Sequence, residues 1–474
     1  MMINVGEFKG LIIQQALEGK LTRKLNAEDS KIYLLNNRIN YSKYGPYDLP
    51  EKWYWVKCKD ICKLLGGFAF KSDNYTDSKD AVRVIRISDF NNDKLLDDEI
   101  KKYPYSNVLD AYEIFENDIL MCMTGGTVGK TCLFPKLSYR CFLNQRVALF
   151  RTEHLEINYL YYVLKSANIL KIINDTKRST NDNISMKIIG EFDIPFPPLE
   201  EQKRIVAKLD EIFAELDKID EKQTRLATIQ EKMEAKILKL AIQGKLVEQR
   251  SEEGTGEELF KIIQEEKQEL IKQGKIKKEK RLPVIEENEV PFKIPLTWKW
   301  VRLSDICEIP ITDGTHQTPT YSSKDEGVPF ISSKDVTTKA INWNNIKYIT
   351  KDLHKELYKR IAPQKNDILL AKNGTTGVAA LVEDDRVFDI YVTLAVLRPT
   401  RNLIYPKFLL NVVNSPVCKG QFNEHLIGIG VPNLHLNVIK EVMIPLPPFE
   451  EQKRIVAKIE ELLPLCRGNK IWRD

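Results

Sequence analysis

The stretch IPFPPLEEQKRIVAK at residues 194–208 returns as IPLPPFEEQKRIVAK at residues 444–458. The two copies lie 250 residues apart and differ only by the exchange of Phe and Leu at two positions. No low-complexity composition explains this likeness, so it indicates a duplication. Internal repeats have to be recognised first because they govern the whole fold.

Further segments keep nearly the same offset, and each pair shares its order along the chain. The pairs are LPEKWYWVKCKDIC (49–62) with IPLTWKWVRLSDIC (294–307), VIRISDF (84–90) with FISSKDV (330–336), NDILMCMTGGT (117–127) with NDILLAKNGTT (366–376), and NISMKIIGEFDIP (183–195) with NLHLNVIKEVMIP (433–445). Each copy therefore runs from a pair of tryptophans to a Pro-Pro boundary, roughly 150 residues later, which is a normal size for one domain. A third pair of similar segments is IIQQALEGKLT (12–22) and ILKLAIQGKLV (237–247). The first copy stands before its domain and the second stands after one, so the order of the elements looks circularly permuted.

A long helix is predicted after Pro197-Pro198. Proline favours a helix start, and Glu200 and Glu201 place negative charge at the positive end of the helix dipole. An a/d seam of apolar residues then continues to a stop at Gly244, about 44 residues or ~65 Å at ~1.5 Å per residue. The seam consists of Ile205, Leu209, Ile212, Leu216, Ile219, Leu226, Ile229, Met233, Ile237 and Leu240.

Such a seam needs partner helices to cover it. The natural partners are the N-terminal element (6–20) and the C-terminal copy of the repeat (449–463), which predicts an antiparallel coiled coil. The C-terminal copy is expected to be shorter, because Pro464 and LPLCRGNKIWRD replace the run that follows Phe213 in the first copy.

Each repeated domain is predicted to be mixed α/β. VRVIRISDF, NDILMCM and RVALFR, with VPFISSKDV, NDILLAK and VTLAVLRPT in the second copy, have the β-branched composition and the Gly, Asn and Asp boundaries of short strands. NYLYYVLKSANILKII and PKFLLNVVNS are typical of helices. The segment 257–281 is predicted as a charged helix ending in a basic cluster, and serves either as a solvated linker or as a DNA-backbone contact.

Composition limits the class of protein. A length of 474 residues predicts two or three domains, and the net charge of +5 permits a polyanionic partner without requiring one. No apolar run reaches the ~20 residues that span a bilayer, and the N-terminus lacks the pattern of a signal peptide, so a cytoplasmic location is expected. The cysteines are expected to be reduced core residues; they are Cys58, Cys62, Cys122, Cys132, Cys141, Cys307, Cys418 and Cys466.

The sequence offers no convincing catalytic site. GGTVGKT (125–131) has one residue too few between its glycines for a phosphate-binding loop, and its duplicate NGTTGVAA lacks the lysine, so a turn between strands is the better interpretation. Both Pro-Pro pairs precede helices and are interpreted as caps, not as a methyltransferase loop. Scattered histidines without duplicates argue against a shared triad or metal site; they are His154, His316, His354, His425 and His435.

Taken together, PPLEEQKRIVAKLDEI, PPFEEQKRIVAKIEELLPL, AIQGKLV, TWKWVRLSDIC, TDGTHQTPTY and GVPFISSKD resemble the specificity subunit of type I restriction–modification systems. The likeness covers nearly the whole chain. It implies two target-recognition domains that each read one half of a bipartite DNA site, separated by long helices. It also implies methyltransferase subunits, expected to be two, that bind S-adenosylmethionine, and restriction subunits that use ATP; no cofactor is expected on this chain.

The resemblance and the repeats together divide the chain into six segments. These are an N-terminal helical element and arm (1–48), the first target-recognition domain (49–198), the central long helix (199–247), a charged connector (248–290), the second target-recognition domain (291–448) and the shortened C-terminal helix (449–474).

DNA reading requires polar and cationic side chains on loops that enter a groove. In the first domain the candidates are Lys71, Arg86, Ser88, Thr127, Lys130, Arg146, Lys177, Arg178 and Thr180. In the second domain they are Thr315, His316, Gln317, Thr318, Ser332, Lys334, Lys372, Asn373 and Thr375. Each could equally be a solvated surface group. Trp53, Trp55, Trp298 and Trp300 are expected to be core anchors.

Three functions remain open at this stage. The leading one is a non-catalytic, sequence-specific DNA-recognition subunit that acts in host defence. The alternatives are a stand-alone DNA-modifying enzyme and a coiled-coil scaffold for proteins alone.

Overall fold

In a computed structural model, the described residues are 4–23, 29–91, 94–179, 183–336, 340–424 and 433–466. They belong to two compact units, residues 1–225 and 226–474. The long helix begins in the first unit and ends in the second.

The first unit contains both helices and short strands, with most of the strands in one run between α3 and α4. Its helices are α1 (Val5–Leu17), α2 (Ser30–Asn36), α3 (Cys58–Ile61), α4 (Ile157–Leu164), α5 (Ala167–Ser179), α6 (Met186–Gly190) and the start of α7 (Leu199–Ile242). Its strands are β1 (Tyr41–Ser42), β2 (Tyr54–Lys57), β3 (Lys63–Gly66), β4 (Val82–Ile85), β5 (Phe90–Asn91), β6 (Lys94–Leu95), β7 (Lys101–Tyr103), β8 (Glu113–Ile114), β9 (Ile119–Cys122), β10 (Thr131–Leu133), β11 (Cys141–Leu143), β12 (Val147–Arg151) and β13 (Asp193–Phe196).

The second unit repeats this plan. Its helices after α7 are α8 (Gly256–Lys272), α9 (Lys351–Arg360), α10 (Pro406–Val413), α11 (Pro416–Glu424), α12 (Leu436–Glu441) and α13 (Phe449–Cys466). Its strands are β14 (Lys299–Arg302), β15 (Thr312–Asp313), β16 (Val328–Ile331), β17 (Lys347–Ile349), β18 (Ile368–Ala371), β19 (Ala379–Leu381), β20 (Asp389–Ile390), β21 (Leu394–Leu397) and β22 (Met443–Leu446).

Sheet topology shows that the two domains are copies of one fold. The order β10-β9-β12-β3 in the first becomes β19-β18-β21-β15 in the second, and β7-β4-β11 becomes β17-β16-β20. In each domain one pair is parallel, β4 with β11 and β16 with β20, while the neighbouring pairs are antiparallel. The prediction of two similar mixed α/β domains is confirmed.

The repeated Asn-Asp-Ile-Leu segment explains part of the structural likeness between the two domains. Asn117 and Asn366 both adopt a positive φ, 68° and 74°, which turns the chain into the buried strands β9 and β18. The next residue, Asp118 or Asp367, is buried and binds an arginine through both carboxylate oxygens. That arginine is Arg151 in the first domain and Arg398 in the second.

The Pro-Pro repeat fastens each domain to the helix that follows it. Trp53 Nε1–H donates to Glu201 Oε2 at 2.8 Å, and Trp298 Nε1–H donates to Glu451 Oε2 at 2.9 Å. The next residue, Gln202 or Gln452, is fully buried and donates to the carbonyl of the first proline. These duplicated contacts explain why the segment has changed so little between the copies.

The predicted long helix is confirmed, because α7 runs unbroken through 44 residues. Its beginning packs on α1, where Ala16 and Leu17 share a core with Ile205 and Leu209. Its end shares a second core with α13, where Leu238 and other residues of α7 lie among apolar residues of α13. Each fully buried aliphatic side chain contributes about 1.5–3 kcal/mol.

The middle of the seam is not covered by either helix. Four of its residues are between 37% and 52% exposed; they are Ile219, Leu226, Ile229 and Met233. Helices α1 and α13 pack against the two ends of α7, as predicted, and these four residues between them stay exposed. We call these four residues the open seam.

Two helix ends differ from the sequence prediction. The charged helix predicted over 257–281 ends at Lys272, because Gly274 takes a φ of 69° and turns the chain away, so Lys275 and the basic residues after it follow the helix. The C-terminal helix continues through Pro464 to Cys466. Proline is tolerated there because it removes only one backbone bond in the last turn.

Helix α8 is a part of the second unit rather than a solvated linker. Leu259 and Ile263 are buried in the core beside α13, and Lys267 Nζ donates to the Ser304 carbonyl at 2.8 Å. Gly256 lies so close to β22 that a Cβ at this position would stand 2.1 Å from the Leu446 carbonyl oxygen.

The cysteines and tryptophans take the positions expected of core residues. All eight cysteines are buried free thiols, as predicted. Trp53, Trp55 and Trp298 are buried, whereas Trp300 is half-buried and packs edge-on against Phe292. Among the helices of the described segments, none is both long and apolar enough to cross a membrane.

Candidate nucleic-acid interface

In the first domain, several loops meet at one end of the central sheets. Main-chain bonds join them: Gln145 N–H donates to the Phe68 carbonyl at 2.9 Å, and Met123 N–H donates to the Arg146 carbonyl at 2.9 Å. Ile184 N–H in turn donates to the Met123 carbonyl at 2.9 Å. We call residues 66–71, 86–91, 123–130, 144–146 and 183 the first rim.

The second domain forms the same structure with the same bonds. Val392 N–H donates to the Thr315 carbonyl at 3.0 Å, Lys372 N–H to the Thr393 carbonyl at 2.8 Å, and Leu434 N–H to the Lys372 carbonyl at 2.9 Å. We call residues 313–318, 332–336, 372–377, 391–393 and 433 the second rim. The bonds correspond one to one, so the two rims share a backbone and differ in their side chains.

A glycine at the same place in each rim permits this backbone. A Cβ on Gly67 would stand 2.3 Å from the Asn144 carbonyl oxygen, and a Cβ on Gly314 would stand 2.0 Å from the Ile390 carbonyl oxygen. Both distances are shorter than any real contact, so the two loops can approach only without a side chain.

The loop GGTVGKT is a turn between β9 and β10, as interpreted from the sequence. Gly125 and Gly129 have φ values of 71° and 86°, and the equivalent glycines of the second rim, Gly374 and Gly377, have 75° and 81°. The turn leads directly into strand β10 rather than into a helix, so the backbone does not form a phosphate-binding loop.

Most candidates of the first domain lie on the first rim. Lys71, Ser88, Lys130 and Arg146 are exposed, and Lys130 Nζ donates to Asn91 Oδ1 at 3.1 Å. Thr127 is half-buried in the turn. Lys177 and Arg178 belong to α5, whose Ile173 packs against Gly129, but their side chains and the whole of Thr180 lie outside the described residues.

Arg86 is already engaged within the first rim. Its guanidinium donates to both carboxylate oxygens of Asp89, Nη2 to Oδ1 at 2.7 Å and Nε to Oδ2 at 3.2 Å. Asp89 also accepts from the Ser88 hydroxyl at 2.9 Å. The Asp89 carboxylate therefore orients both candidates.

The second rim brings all nine candidates of the second domain together. Of these, His316, Gln317, Thr318, Lys334 and Thr375 are exposed, and Ser332 and Asn373 are half-buried. Thr315 and Lys372 are buried, at 5% exposure each. Thr315 Oγ1 accepts from Gln317 N–H at 3.1 Å, so it shapes the loop.

Sequence analysis did not identify Asp313 and Arg360, which also belong to this region. Asp313 is 2% exposed and accepts from Lys372 Nζ at 2.5 Å and from Arg360 Nη2 at 2.9 Å. The indication of Asp313 in the sequence was its place in TDGTHQTPTY, one of the segments that carry the family resemblance. Arg360 ends the ten-residue helix α9, where the first domain has only a short 3-10 helix (Asn107–Tyr112), so the repeat did not indicate it.

Burial keeps several cysteine thiols of the described residues in the protonated form. Burial raises the pKa of Cys122 to about 11 and the pKa values of Cys141, Cys307 and Cys418 to about 12, so these thiols stay protonated at neutral pH. A hydrogen bond with Cys62 is the first cause of the raised pKa of Cys58. Within the part of the chain that the structure describes, no three His, Cys, Asp or Glu side chains form a possible metal site.

Comparison with protein families decides the identity of the chain. A family model described as "Type I restriction modification DNA specificity domain" matches residues 50–230 and again residues 295–466. The two matches cover most of the chain and coincide with the two copies of the repeat. The chain belongs to the type I restriction–modification specificity family.

Two relatives of this specificity protein share most of its length at modest identity. The chain is 26% identical over 433 residues to the type I restriction enzyme EcoBI specificity subunit of Escherichia coli, covering 90% of this chain and 82% of the relative. It is 24% identical over 453 residues to the MjaVIII specificity subunit of Methanocaldococcus jannaschii, covering 89% of both.

A solved structure supports the fold of this specificity subunit. A chain described under "Structural basis underlying complex assembly and conformational transition of the type I R-M system" matches with a TM-score of 0.55 and 20% identity, covering 89% of this chain and 93% of the other. At this identity the likeness concerns the fold alone.

Proposed function

We propose that this chain is the DNA-reading subunit of a type I complex, in which each rim recognises one half of a bipartite site. In this proposal the chain carries no catalysis of its own. It directs adenine methylation and restriction, which partner subunits perform in the cytoplasm with S-adenosylmethionine and ATP.

The observation that carries the proposal is the correspondence of the rims. Equivalent main-chain bonds hold both sets of loops, while side chains at equivalent places differ. Arg86 N–H donates to Asp89 as Ser332 N–H donates to Asp335. Arg86 on one rim therefore corresponds to Ser332 on the other, and Ser88 corresponds to Lys334. Bases are distinguished by side-chain donors and acceptors, whereas the backbone fixes the approach to the groove. Two similar backbones with different side chains suit two different half-sites.

The long helix supports the bipartite part of the proposal. At ~1.5 Å per residue, a 44-residue helix is about 66 Å long. Half-sites read by paired modules lie whole or near-whole DNA turns apart, about 34 Å per turn. We therefore propose that the recognised site has one spacer length, since the segment that joins the two domains is a helix and not a loop.

The open seam supports the proposed partners. Ile219, Leu226, Ile229 and Met233 expose apolar surface on one face of α7, and apolar stripes of this kind are typical of protein interfaces. We assign this face to the methyltransferase subunits, of which we expect two.

Methylome sequencing tests the proposal directly. Cells that carry this chain and its modification subunit should contain adenine methylation at a split motif with a fixed spacer. Deletion of the chain should abolish it. Methylation of the same motif in the deletion strain would contradict the proposal.

Two biochemical controls separate the alternatives. Purified chain mixed with labelled S-adenosylmethionine and duplex DNA should transfer no label, because the proposal places the chemistry on partners. The assembled complex should bind duplex DNA with an affinity that falls steeply with salt, since phosphate contacts release counterions. Salt-independent behaviour would favour a protein-only scaffold.

A further inference from the structure

The second rim contains a buried carboxylate surrounded by cations. Asp313 Oδ2 accepts from Lys372 Nζ at 2.5 Å, and its Oδ1 accepts from Arg360 Nη2 at 2.9 Å. His316 Nε2 lies 3.3 Å from the same Oδ1. Lys372 and Arg360 together carry one positive charge more than Asp313 neutralises, so the cluster has a positive surplus.

Burial divides these side chains into two roles. The side chain of Lys372 is 7% exposed, so its ammonium group is committed to Asp313 and is not available to a large partner. The side chains of Arg360 and His316 are 47% and 63% exposed. Lys372 therefore fixes Asp313, and Asp313 presents Arg360 and His316 at the surface.

The first domain lacks this cluster at the equivalent positions. Gly66 pairs with Ala148 in the first domain as Asp313 pairs with Ala395 in the second. Met123 donates its N–H across the first rim as Lys372 does across the second. The buried ion pair is therefore not needed to build the rim backbone. It is one of the features in which the second domain differs from the first.

We propose that Arg360 donates hydrogen bonds to DNA in the half-site of the second domain, with Asp313 and Lys372 as its positioning residues. A guanidinium presents rigid, planar donors that match the guanine edge or a phosphate. A carboxylate behind it fixes the plane before binding, as outer-shell groups do for metal ligands. This inference rests on the proposed DNA-reading function and adds a contact that the repeat does not predict.

The first experiment tests contact. The assembled complex is prepared with one of three substitutions, Arg360→Gln, Arg360→Lys or Lys355→Ala. Its affinity is measured for the duplex that the methylome identifies, and for duplexes in which each base of the second domain's half-site is varied in turn. Lys355 lies on the same helix, is 71% exposed, and pairs with Asp352, so its variant matches the loss of charge. Arg360→Gln should weaken binding about 10- to 100-fold. Lys355→Ala should change it little.

The pattern of losses identifies the acceptor. If Arg360 reads a guanine, Arg360→Lys fails like Arg360→Gln, and discrimination at one base pair is lost. If it binds a phosphate, Arg360→Lys keeps most of the affinity, and Arg360→Gln lowers the salt slope by about one for every sequence. Equal binding by Arg360→Gln and Lys355→Ala would overturn the proposal.

The second experiment tests positioning. Asp313→Gly alone leaves a buried ammonium group without a partner and endangers folding, so it is combined with Lys372→Met, which installs both residues of the first domain. In this double variant, Arg360→Gln should cost less than about 3-fold, because the arginine has already lost its orientation. If Asp313 and Lys372 have a purely structural role, the loss of affinity caused by Arg360→Gln should be the same in the double variant as in the wild type. That result would refute the proposal that the pair positions Arg360.

Methylomes of the same strains separate this inference from the proposed function. If the wild-type complex methylates no split motif, the proposed function fails. If it methylates one, and the double variant keeps the half-site of the first domain while the other half weakens, both hold. If Arg360→Gln leaves the methylated motif, the affinity of the complex for DNA and its salt dependence all unchanged, only this inference fails.

Discussion

Removal of the buried aspartate from each Asn-Asp-Ile-Leu segment should destabilise the two domains unequally. In the second domain, Asp367 accepts from Arg398 Nε and Nη2, both at 2.7 Å, and from Gln364 N–H at 2.8 Å. Substitution by alanine leaves the Arg398 side chain, which is 12% exposed, without its counterion. Breaking a buried pair in this way costs ~3–5 kcal/mol.

The same substitution in the first domain should cost less. Asp118 accepts from Arg151 Nε at 2.7 Å and from Nη2 at 2.5 Å, which closely matches the second domain. The Arg151 side chain is 30% exposed, however, so water can solvate it once the partner is gone. We expect Asp118→Ala to cost ~2 kcal/mol, below the fully buried case.

Hydrogen exchange followed by mass spectrometry measures both effects in one chain. A chain with two units need not unfold in one transition, whereas exchange reports each region separately. Asp367→Ala should accelerate exchange in β21 roughly 100-fold or more and leave β12 unchanged. The surface pair of Asp384 with Arg386, 50% and 43% exposed, provides the control, since Asp384→Ala should cost under ~1 kcal/mol. Equal effects of Asp118→Ala and Asp367→Ala would refute the argument from solvent access.

Three further predictions concern the rim, a helix start and the open seam. Gly314→Ala should weaken DNA binding by the complex at least about 10-fold, because the new Cβ meets the Ile390 carbonyl oxygen at 2.0 Å. Burial raises the pKa of Glu451 above its ordinary value of 4.5. The stability of the wild-type protein should therefore fall as the pH rises from 4.5 through that raised pKa. Glu451→Gln keeps an acceptor for Trp298 and should flatten this pH dependence in denaturant titrations. Met233→Glu should weaken association with the modification subunit in pull-down assays without lowering the melting temperature, because this side chain is 47% exposed.

Each of these predictions has a matched comparison. Gly420→Ala, on α11 and outside both rims, adds a Cβ with no atom within 4 Å and should bind DNA normally; a loss equal to that of Gly314→Ala would contradict the steric argument. An unchanged pH slope in Glu451→Gln would show that another group is responsible. Lys232→Glu changes the charge of the exposed residue beside Met233, and an equal loss of association would indicate an electrostatic contact.

Sequence periodicity and repetition predicted most of the architecture. The a/d seam predicted the bounds of α7 closely, because the heptad spacing of apolar residues recurs many times in a helix of this length. The duplication predicted two domains of one fold, since equivalent segments recur in the same order. The rims were predictable in outline because glycine, asparagine and threonine mark the ends of buried strands.

The remaining features depend on long-range contacts that sequence patterns do not encode. Lys372 resembles an exposed loop lysine in the sequence, and only the fold brings Asp313 under it across 59 residues. The open seam could not be foreseen because coverage depends on where α1 and α13 end. Gly274 did signal the end of α8, but the basic residues beyond it extended the apparent helical pattern.

The most direct test of the central claim is a pair of methylomes from cells with a change in one rim at a time. Lys130→Ala together with Ser88→Ala alters the first rim, and His316→Ala together with Gln317→Ala alters the second. We predict that each pair relaxes or changes one half of the split motif, a different half for each rim, with the spacer unchanged. If either pair alters both halves, or if both pairs alter the same half, the two rims do not read the two halves independently and the account is wrong.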